Sequence, residues 1–182
     1  GTSFDEAHLR RTWFHDPGWS RMPKCELSFR IGGAAGDGVS STAESFAKIC
    51  ARRGLHVWTY SSYQSVIRGG HVWTQVRAGA EPLRSHGEDP DVLVALNQPT
   101  LDVHEAAVSE GGVILYDSEA LTVAAARHRA RVRALGIPLR RIAQTLSPNA
   151  LMRNTVALGA AVRLLDLEFR HVESAFRDIW GD

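Results

Sequence analysis

The apolar positions of this chain form short runs that are separated by glycine, proline and polar turns. Several runs alternate with a period of two, or are continuous over four to six residues, and both patterns are typical of strands in a sheet. The first run ends at paired glycines. We predict six strands, at residues 26–31, 55–60, 71–77, 91–96, 113–116 and 132–135.

Between these strands the apolar spacing changes to that of helices. Ser40 or Ser41 is the expected N-cap of the first helix, and Ser147-Pro148 the expected start of a long one with an apolar face of Leu151, Leu158, Val162 and Leu165. We predict helices at residues 39–53, 99–108, 120–130, 138–146, 148–166 and 169–180. Alternating strands and helices favour a three-layer α/β/α domain with a mostly parallel, Rossmann-like sheet.

The chain divides into an N-terminal arm, residues 1–24, and a domain, residues 25–182. The arm shows no sustained period and carries Trp13, Phe14 and Trp19 around a turn at residues 16–18. Its aromatic residues predict an arm that docks on this domain or on a partner.

The composition is that of an ordinary globular protein, with 44% hydrophobic and 23% charged residues. No apolar run is long enough for a membrane span. Only two cysteines occur, Cys25 and Cys50, without a CxxC pair, so we expect a cytoplasmic protein that holds no metal cluster itself. Cys50, Trp58 and Trp73 are expected to pack within the fold rather than to react or stack on bases.

Charge is unevenly distributed although the net charge is +1. Residues 120–165 contain no acid, yet this stretch holds eight arginines, at positions 127, 129, 131, 133, 140, 141, 153 and 163. Such a stretch either steers anionic partners or forms a solvated face that acids elsewhere balance. The modest net charge and the absence of a nucleic-acid-binding motif argue against a nucleic-acid partner.

A glycine-rich segment, residues 32–38, joins the first strand to the first helix. Gly33, Gly36 and Gly38 could let the backbone approach a phosphate or carboxylate at the helix N-terminus, or could simply make a tight turn. A dinucleotide site would place an acid near residues 60–63, where none occurs, which argues against NAD. The triplet from Gly36 to Gly38 resembles the start of a thiamine-diphosphate motif, but no Asn-Asn pair follows.

A second candidate segment, QSVIRGGH at residues 64–71, combines a hydroxyl, a cation, flexible backbone and an imidazole. Ser65 and Arg68 could bind an anion, while Gly69 and Gly70 free the backbone beside them. His71 could titrate near neutrality or serve as a purely structural histidine.

These motifs together resemble the gamma domain of 2-oxoacid:ferredoxin oxidoreductases, and most closely the N-terminal part of the 2-oxoglutarate-type alpha subunit. The similarity rests on IGGAAGDGVSSTAESFAKICARRGLHVWTY, SYQSVIRGGHVWTQVR, DVLVALNQPTLDVH, GGVILYD and RNTVALG, in that order. It covers roughly residues 26–180.

The resemblance implies oxidation of a 2-oxoacid with coenzyme A to acyl-CoA, CO2 and two electrons. Thiamine diphosphate, magnesium and iron–sulfur clusters are then expected on alpha and beta partner chains, with ferredoxin or another protein as acceptor. It further implies that Ser65, Arg68, Gly69, Gly70 and His71 lie near the coenzyme A side of the site. Indolepyruvate and arylglyoxylate oxidoreductases use the same type of domain. The alternative is a free-standing nucleotide-binding module.

Overall fold

A computed structural model of the chain describes residues 26–62, 70–124, 131–167 and 169–180, so the predicted arm at residues 1–24 lies outside the described part. The strands are β1 (Glu26–Ala34), β2 (His56–Ser62), β3 (His71–Gly79), β4 (Val92–Ala95), β5 (Val113–Asp117) and β6 (Arg133–Ile137). The helices are α1 (Val39–Arg52), α2 (Gln98–His104), α3 (Leu139–Leu146), α4 (Met152–Leu164) and α5 (Phe169–Trp180). A short 3₁₀ turn, Glu105–Ala107, continues α2.

The six strands of the described residues form one sheet in the order β2-β3-β1-β4-β5-β6. Strand β3 is antiparallel to both of its neighbours, whereas β1, β4, β5 and β6 pair in parallel. Within this sheet β3 is therefore the one strand that runs against the others. The predicted α/β class with a mostly parallel sheet is confirmed.

One face of the sheet is covered by α1, α3, α4 and α5, which together enclose the main apolar core. Phe29 of β1 and Phe46 of α1 are fully buried there, with ring centroids 4.2 Å apart. Cys50 lies in the same core, and burial raises the pKa of its thiol to about 12. Its predicted structural role is confirmed, because a thiol in this state is not a nucleophile at neutral pH.

The opposite face is covered by α2 and by the chain that precedes β4. Over β4 and β5 this face is apolar, with Leu93, Leu101 and Ile114 fully buried. Over β1 and β3 it is polar, because Arg30 and Gln75 are buried there. Layers on both faces confirm the three-layer arrangement, and the change in polarity marks where the candidate site lies.

The helix predicted at residues 120–130 is wrong over its first part. Residues 118–124 form a turn and irregular structure, and residues 125–130 lie outside the described part of the chain. Side chains from the α2 region take the backbone groups that a helix would use. Gln98 exchanges two hydrogen bonds with the backbone of Thr122, and Glu105 accepts one from the Ala124 amide.

The predicted helix starts also need correction. Gly38, in the left-handed conformation, caps α1 in place of Ser40 or Ser41, and the Ser41 hydroxyl donates back to the Gly38 carbonyl. Helix α4 begins at Met152 rather than at Pro148, because residues 147–151 form a turn that side chains stabilise. Leu151 is consequently 41% exposed, while the other three residues of the predicted apolar face are buried.

Candidate functional site

The glycine segment and the described end of the second candidate segment, Gly70-His71, lie at one edge of the sheet. Because β1 and β2 run in the same direction, they end at the same edge, and β3 begins there at His71. The Ala35 amide donates to the Gly70 carbonyl at 3.0 Å, which joins the two segments directly. Ligands of open α/β sheets bind at the carboxyl ends of the strands.

Three of the eight predicted site residues, Ser65, Arg68 and Gly69, lie outside the described residues. Gly70 and His71 are described, and His71 pairs with Ala34 at the end of β1. The structure thus brings the end of this segment next to the glycine segment. A ligand-binding role for these five residues stays a prediction.

A different structural reason favours glycine at each of the three predicted positions of the first segment. Gly33 lies within β1, and a Cβ atom there would approach Asp37 Oδ2 to 3.0 Å and Val39 Cγ2 to 3.1 Å. Gly38 has φ of 75° and would place a Cβ atom 2.8 Å from Asn154 Nδ2. Gly36 has φ of 95° with no atom of the described residues near its Cβ position. These observations support the tight turn, and binding of a ligand here stays a prediction.

Asp37 is turned inward and paired. Its Oδ2 atom accepts a hydrogen bond from the Ala34 amide at 2.9 Å and lies 2.9 Å from the Arg153 guanidinium. The Asn154 side chain donates to the Asp37 carbonyl. The start of α4 therefore holds the glycine segment in place. Because Arg153 balances the Asp37 charge, that charge would not repel an anion bound beside the segment.

A buried polar cluster lies on the other face of β1. Arg30 donates to Gln75 Oε1 at 2.7 Å and to the Glu88 carbonyl at 2.6 Å, and its NH1 atom lies 3.2 Å from His104 Nδ1. The guanidinium lies 4.6 Å from the ring centre of Trp73, a cation–π contact. Burial lowers the pKa of Arg30 to about 10, so the group is still charged at neutral pH.

His71 joins this cluster through its ring. His71 Nε2 and His104 Nε2 are 3.0 Å apart, and the Trp73 ring meets His104 edge-on. Burial, Arg30 and His71 together lower the pKa of His104 to about 3. Burial also lowers the pKa of His71, with the Gly33 backbone opposing the change. Both lowered pKa values favour neutral imidazoles near pH 7.

The pattern of the pyruvate ferredoxin/flavodoxin oxidoreductase family matches residues 28–182, which is most of the chain. The chain belongs to this family. The resemblance that the motifs indicated is thereby confirmed.

Relatives of this chain differ in length and in the substrate for which they are named. Ketoisovalerate oxidoreductase subunit VorA of Methanothermobacter thermautotrophicus is 38% identical over 140 residues, which are 76% of this chain and 28% of that protein. The 2-oxoglutarate synthase subunit KorC of Methanocaldococcus jannaschii is 29% identical over 81% of this chain and 79% of its own length. The chain spans less than a third of the curated VorA relatives that it matches first.

A similar solved structure is 2-oxoglutarate:ferredoxin oxidoreductase from Magnetococcus marinus with 2-oxoglutarate, coenzyme A and succinyl-CoA bound. It superposes with a TM-score of 0.77 at 29% identity, over 86% of this chain and 27% of that chain. The gamma subunit of the keto/oxoacid ferredoxin oxidoreductase from Geobacter sulfurreducens gives 0.73 at 25% identity, over 84% of each chain. The fold is therefore that of an oxidoreductase gamma unit.

The family implies prosthetic groups that the residues of this chain do not fit. An iron–sulfur cluster needs four thiolates, whereas this chain has two cysteines, of which Cys50 is a core residue. Asp37, the acid of the Gly-Asp-Gly triplet, already binds Arg153 and a backbone amide, so it does not fit a magnesium ligand.

Acids pair with four of the six described arginines of the acid-free stretch. The pairs are Arg140 with Asp117, Arg141 with Glu119, Arg153 with Asp37 and Arg163 with Asp166. These pairs support the interpretation as a balanced surface. Arg127 and Arg129 lie outside the described residues.

Sequence reasoning missed Arg30, Gln75 and His104 as parts of the site. Their signal was weak, because Arg30 and Gln75 alternate with apolar residues as surface positions of a strand also do. Trp73 packs in the cluster as predicted, whereas Trp58 lies on edge strand β2 with 41% of its surface exposed.

Within the described residues, no helix combines the length and the apolar character needed to cross a membrane.

Proposed function

We propose that this chain is the gamma-type subunit or domain of a thiamine-diphosphate-dependent 2-oxoacid:acceptor oxidoreductase. The complex would convert a 2-oxoacid and coenzyme A to acyl-CoA and CO2, and would pass two electrons through iron–sulfur clusters to ferredoxin or another acceptor. The observation that carries this proposal is the likeness, over 86% of this chain, to an enzyme whose structure holds 2-oxoglutarate, coenzyme A and succinyl-CoA.

The proposal requires alpha and beta partners, because this chain does not fit the clusters or magnesium. Two cysteines cannot supply four thiolates, and Asp37 is committed to Arg153. The isolated chain is then expected to be inactive. A cytoplasmic location belongs to the same proposal, since Cys50 is a free thiol of the kind that reducing compartments maintain.

The contribution of this chain would be to assembly and to the coenzyme A side of the site. Coenzyme A carries several phosphates, which the Ser65 hydroxyl and the Arg68 fork could bind. Gly69 and Gly70 would let the backbone approach the ligand beside them. Support comes from the edge at which this segment ends, where Gly70 contacts the chain that follows β1.

The alternative, a free-standing nucleotide-binding module, receives less support. The positions where a ribose-binding acid would lie are occupied by Tyr60 and Ser61, which make contacts within the domain. Tyr60 stacks on His86, and Ser61 Oγ is 2.9 Å from Thr74 Oγ1.

The test is to isolate the native assembly through a tag on this chain and to identify its other chains and cofactors. The assembly is then given a panel of 2-oxoacids, with and without coenzyme A, and reduction of a viologen dye is measured. Thiamine diphosphate, iron–sulfur chains and dye reduction that depends on a 2-oxoacid are expected. A colourless, inactive chain that binds a nucleotide alone would overturn the proposal.

A sharper test compares two arginines in the same assembly. Loss of a charged hydrogen bond costs about 1.5–3 kcal/mol, so Arg68→Ala should raise the KM for coenzyme A roughly tenfold or more. Arg163→Ala is the matched control, because it removes the same charge from the exposed C-terminal end of α4. Equal KM values for coenzyme A in the two variants would exclude Arg68 from the site.

A further inference from the structure

A chain of hydrogen bonds links the interior of the sheet to the end of the QSVIRGGH segment. It runs from Arg30 to His104 and from His104 to His71, with distances of 3.2 Å and 3.0 Å. Because an imidazole nitrogen donates or accepts according to its proton, the direction of such a chain depends on the tautomer of each ring. Here one end of the chain has a fixed direction.

Arg30 fixes that direction because a guanidinium has only donors. Its Nε atom donates to Gln75 and its NH2 atom to the Glu88 carbonyl, which leaves NH1 facing His104 Nδ1. His104 Nδ1 must therefore accept, and it carries no proton. A neutral imidazole without a proton on Nδ1 carries one on Nε2.

His104 in turn fixes the proton position of His71. His104 Nε2–H faces His71 Nε2 at 3.0 Å, so His71 Nε2 must accept. A neutral His71 then carries its proton on Nδ1. This tautomer is the less common one for an unconstrained histidine, whose proton favours Nε2.

We infer that Arg30 and His104 are positioning residues that hold His71 in the Nδ1–H tautomer, so that His71 can donate a hydrogen bond at the site and cannot act there as a general base. The placing of His71 in the site rests on the proposed function. The tautomer itself follows from this chain alone.

The position of the His71 donor supports a role at the junction of the two candidate segments. Its Nδ1 atom is shielded from solvent, and none of the residues that the structure describes accepts a regular hydrogen bond from it. The Gly33 backbone, near the end of β1, interacts with the His71 ring as a hydrogen-bond partner and raises its pKa against the larger effect of burial. The donor thus lies at the carboxyl edge of the sheet, beside the Gly33 backbone.

The test is ¹⁵N NMR of the full 182-residue chain labelled at histidine, with the two rings assigned by single substitution. Signals of a protonated Nδ1 in His71 and a protonated Nε2 in His104 are expected. His71 with its proton on Nε2 in the unmodified chain would overturn the inference.

Two variants at His104 separate positioning from simple packing. His104→Gln keeps an acceptor towards Arg30 and a donor towards His71, so the His71 signals should stay as they are. His104→Leu removes both groups, so the ¹⁵N signals of the two His71 nitrogens should exchange character. Unchanged His71 signals in a folded His104→Leu chain would also overturn the inference.

Activity in the native assembly keeps the two proposals distinct. If His71 carries its proton on Nδ1 but the assembly shows no dye reduction that depends on a 2-oxoacid, the proposed function is overturned and the inference is supported. Dye reduction by an assembly in which His71 carries its proton on Nε2 would support the proposed function and overturn the inference.

Discussion

The two faces of strand β1 are built on different principles. Phe29 and Ile31 point into the main apolar core and are fully buried. Ser28 and Arg30 alternate with them and are also buried, but each makes directed hydrogen bonds: the Ser28 amide to Asp91 and the Arg30 side chain to three partners. One strand thus supplies stability on one side and fixed geometry on the other.

The two faces of β1 tolerate different kinds of substitution. An apolar core accepts other side chains of similar volume at modest cost, because its attraction has no direction. A buried polar cluster requires an acceptor for every donor, since an unpaired group costs about 1–3 kcal/mol. We therefore expect substitutions on the apolar face to lower stability most, and substitutions on the polar face to alter the state of specific groups.

Phe29→Ala should have the largest effect. Removal of a buried aromatic ring typically costs about 3–5 kcal/mol of the free energy of unfolding, through lost burial and the cavity that remains. Phe29 is fully buried and stacks on Phe46, so little of that loss can be recovered. Urea denaturation of the parent and variant chains measures it. A loss below about 1 kcal/mol, the level of a surface change, would contradict this account of the core.

Arg30→Met should cost less, about 1–3 kcal/mol, because the acceptors on Gln75, Glu88 and His104 lose their donor. Relief of a buried charge offsets part of this loss, since burial already lowers the pKa of Arg30 to about 10. The same urea series measures it. A loss greater than that of Phe29→Ala would reverse the comparison between the faces.

A pH series should give the smallest effect. The pKa of His104 is about 3 in the folded chain and about 6.5 in the unfolded one, so the unfolded state binds more protons between these values. Stability should fall as the pH drops through this window, by about 1–2 kcal/mol between pH 6.5 and 5. His104→Gln should flatten that slope when denaturation midpoints are compared. Parallel slopes for the two chains would show that His104 is not responsible.

Most of the fold could be predicted from local pattern. Strands and the last helix were placed correctly to within a few residues, because glycine and proline mark their ends. The prediction failed at residues 120–124, where Gln98 and Glu105 bind backbone groups that local propensity assigns to a helix. Such competition comes from residues about twenty positions away, and a local pattern does not contain it.

The candidate site could be predicted only in part, for the same reason. The glycine segment and Gly70-His71 are local motifs, and the structure brings them together. Arg30 meets Gln75 and His104 only after the sheet has formed, across 45 and 74 residues of sequence. Nothing in the residues beside Arg30 distinguishes a buried guanidinium from one that faces water.

The central place of β1 in the sheet has a consequence for synthesis on the ribosome. Of the six described strands β1 leaves the ribosome first, and its partners β3 and β4 begin about forty to seventy residues later, a delay of roughly 2–14 s at ordinary rates of translation. During that time both edges of an apolar strand are open to wrong pairing. Arg30 interrupts the apolar sequence at its middle, and a charge at such a position opposes aggregation. The Arg30 guanidinium would then oppose aggregation of the nascent chain before it forms the hydrogen bonds of the folded site.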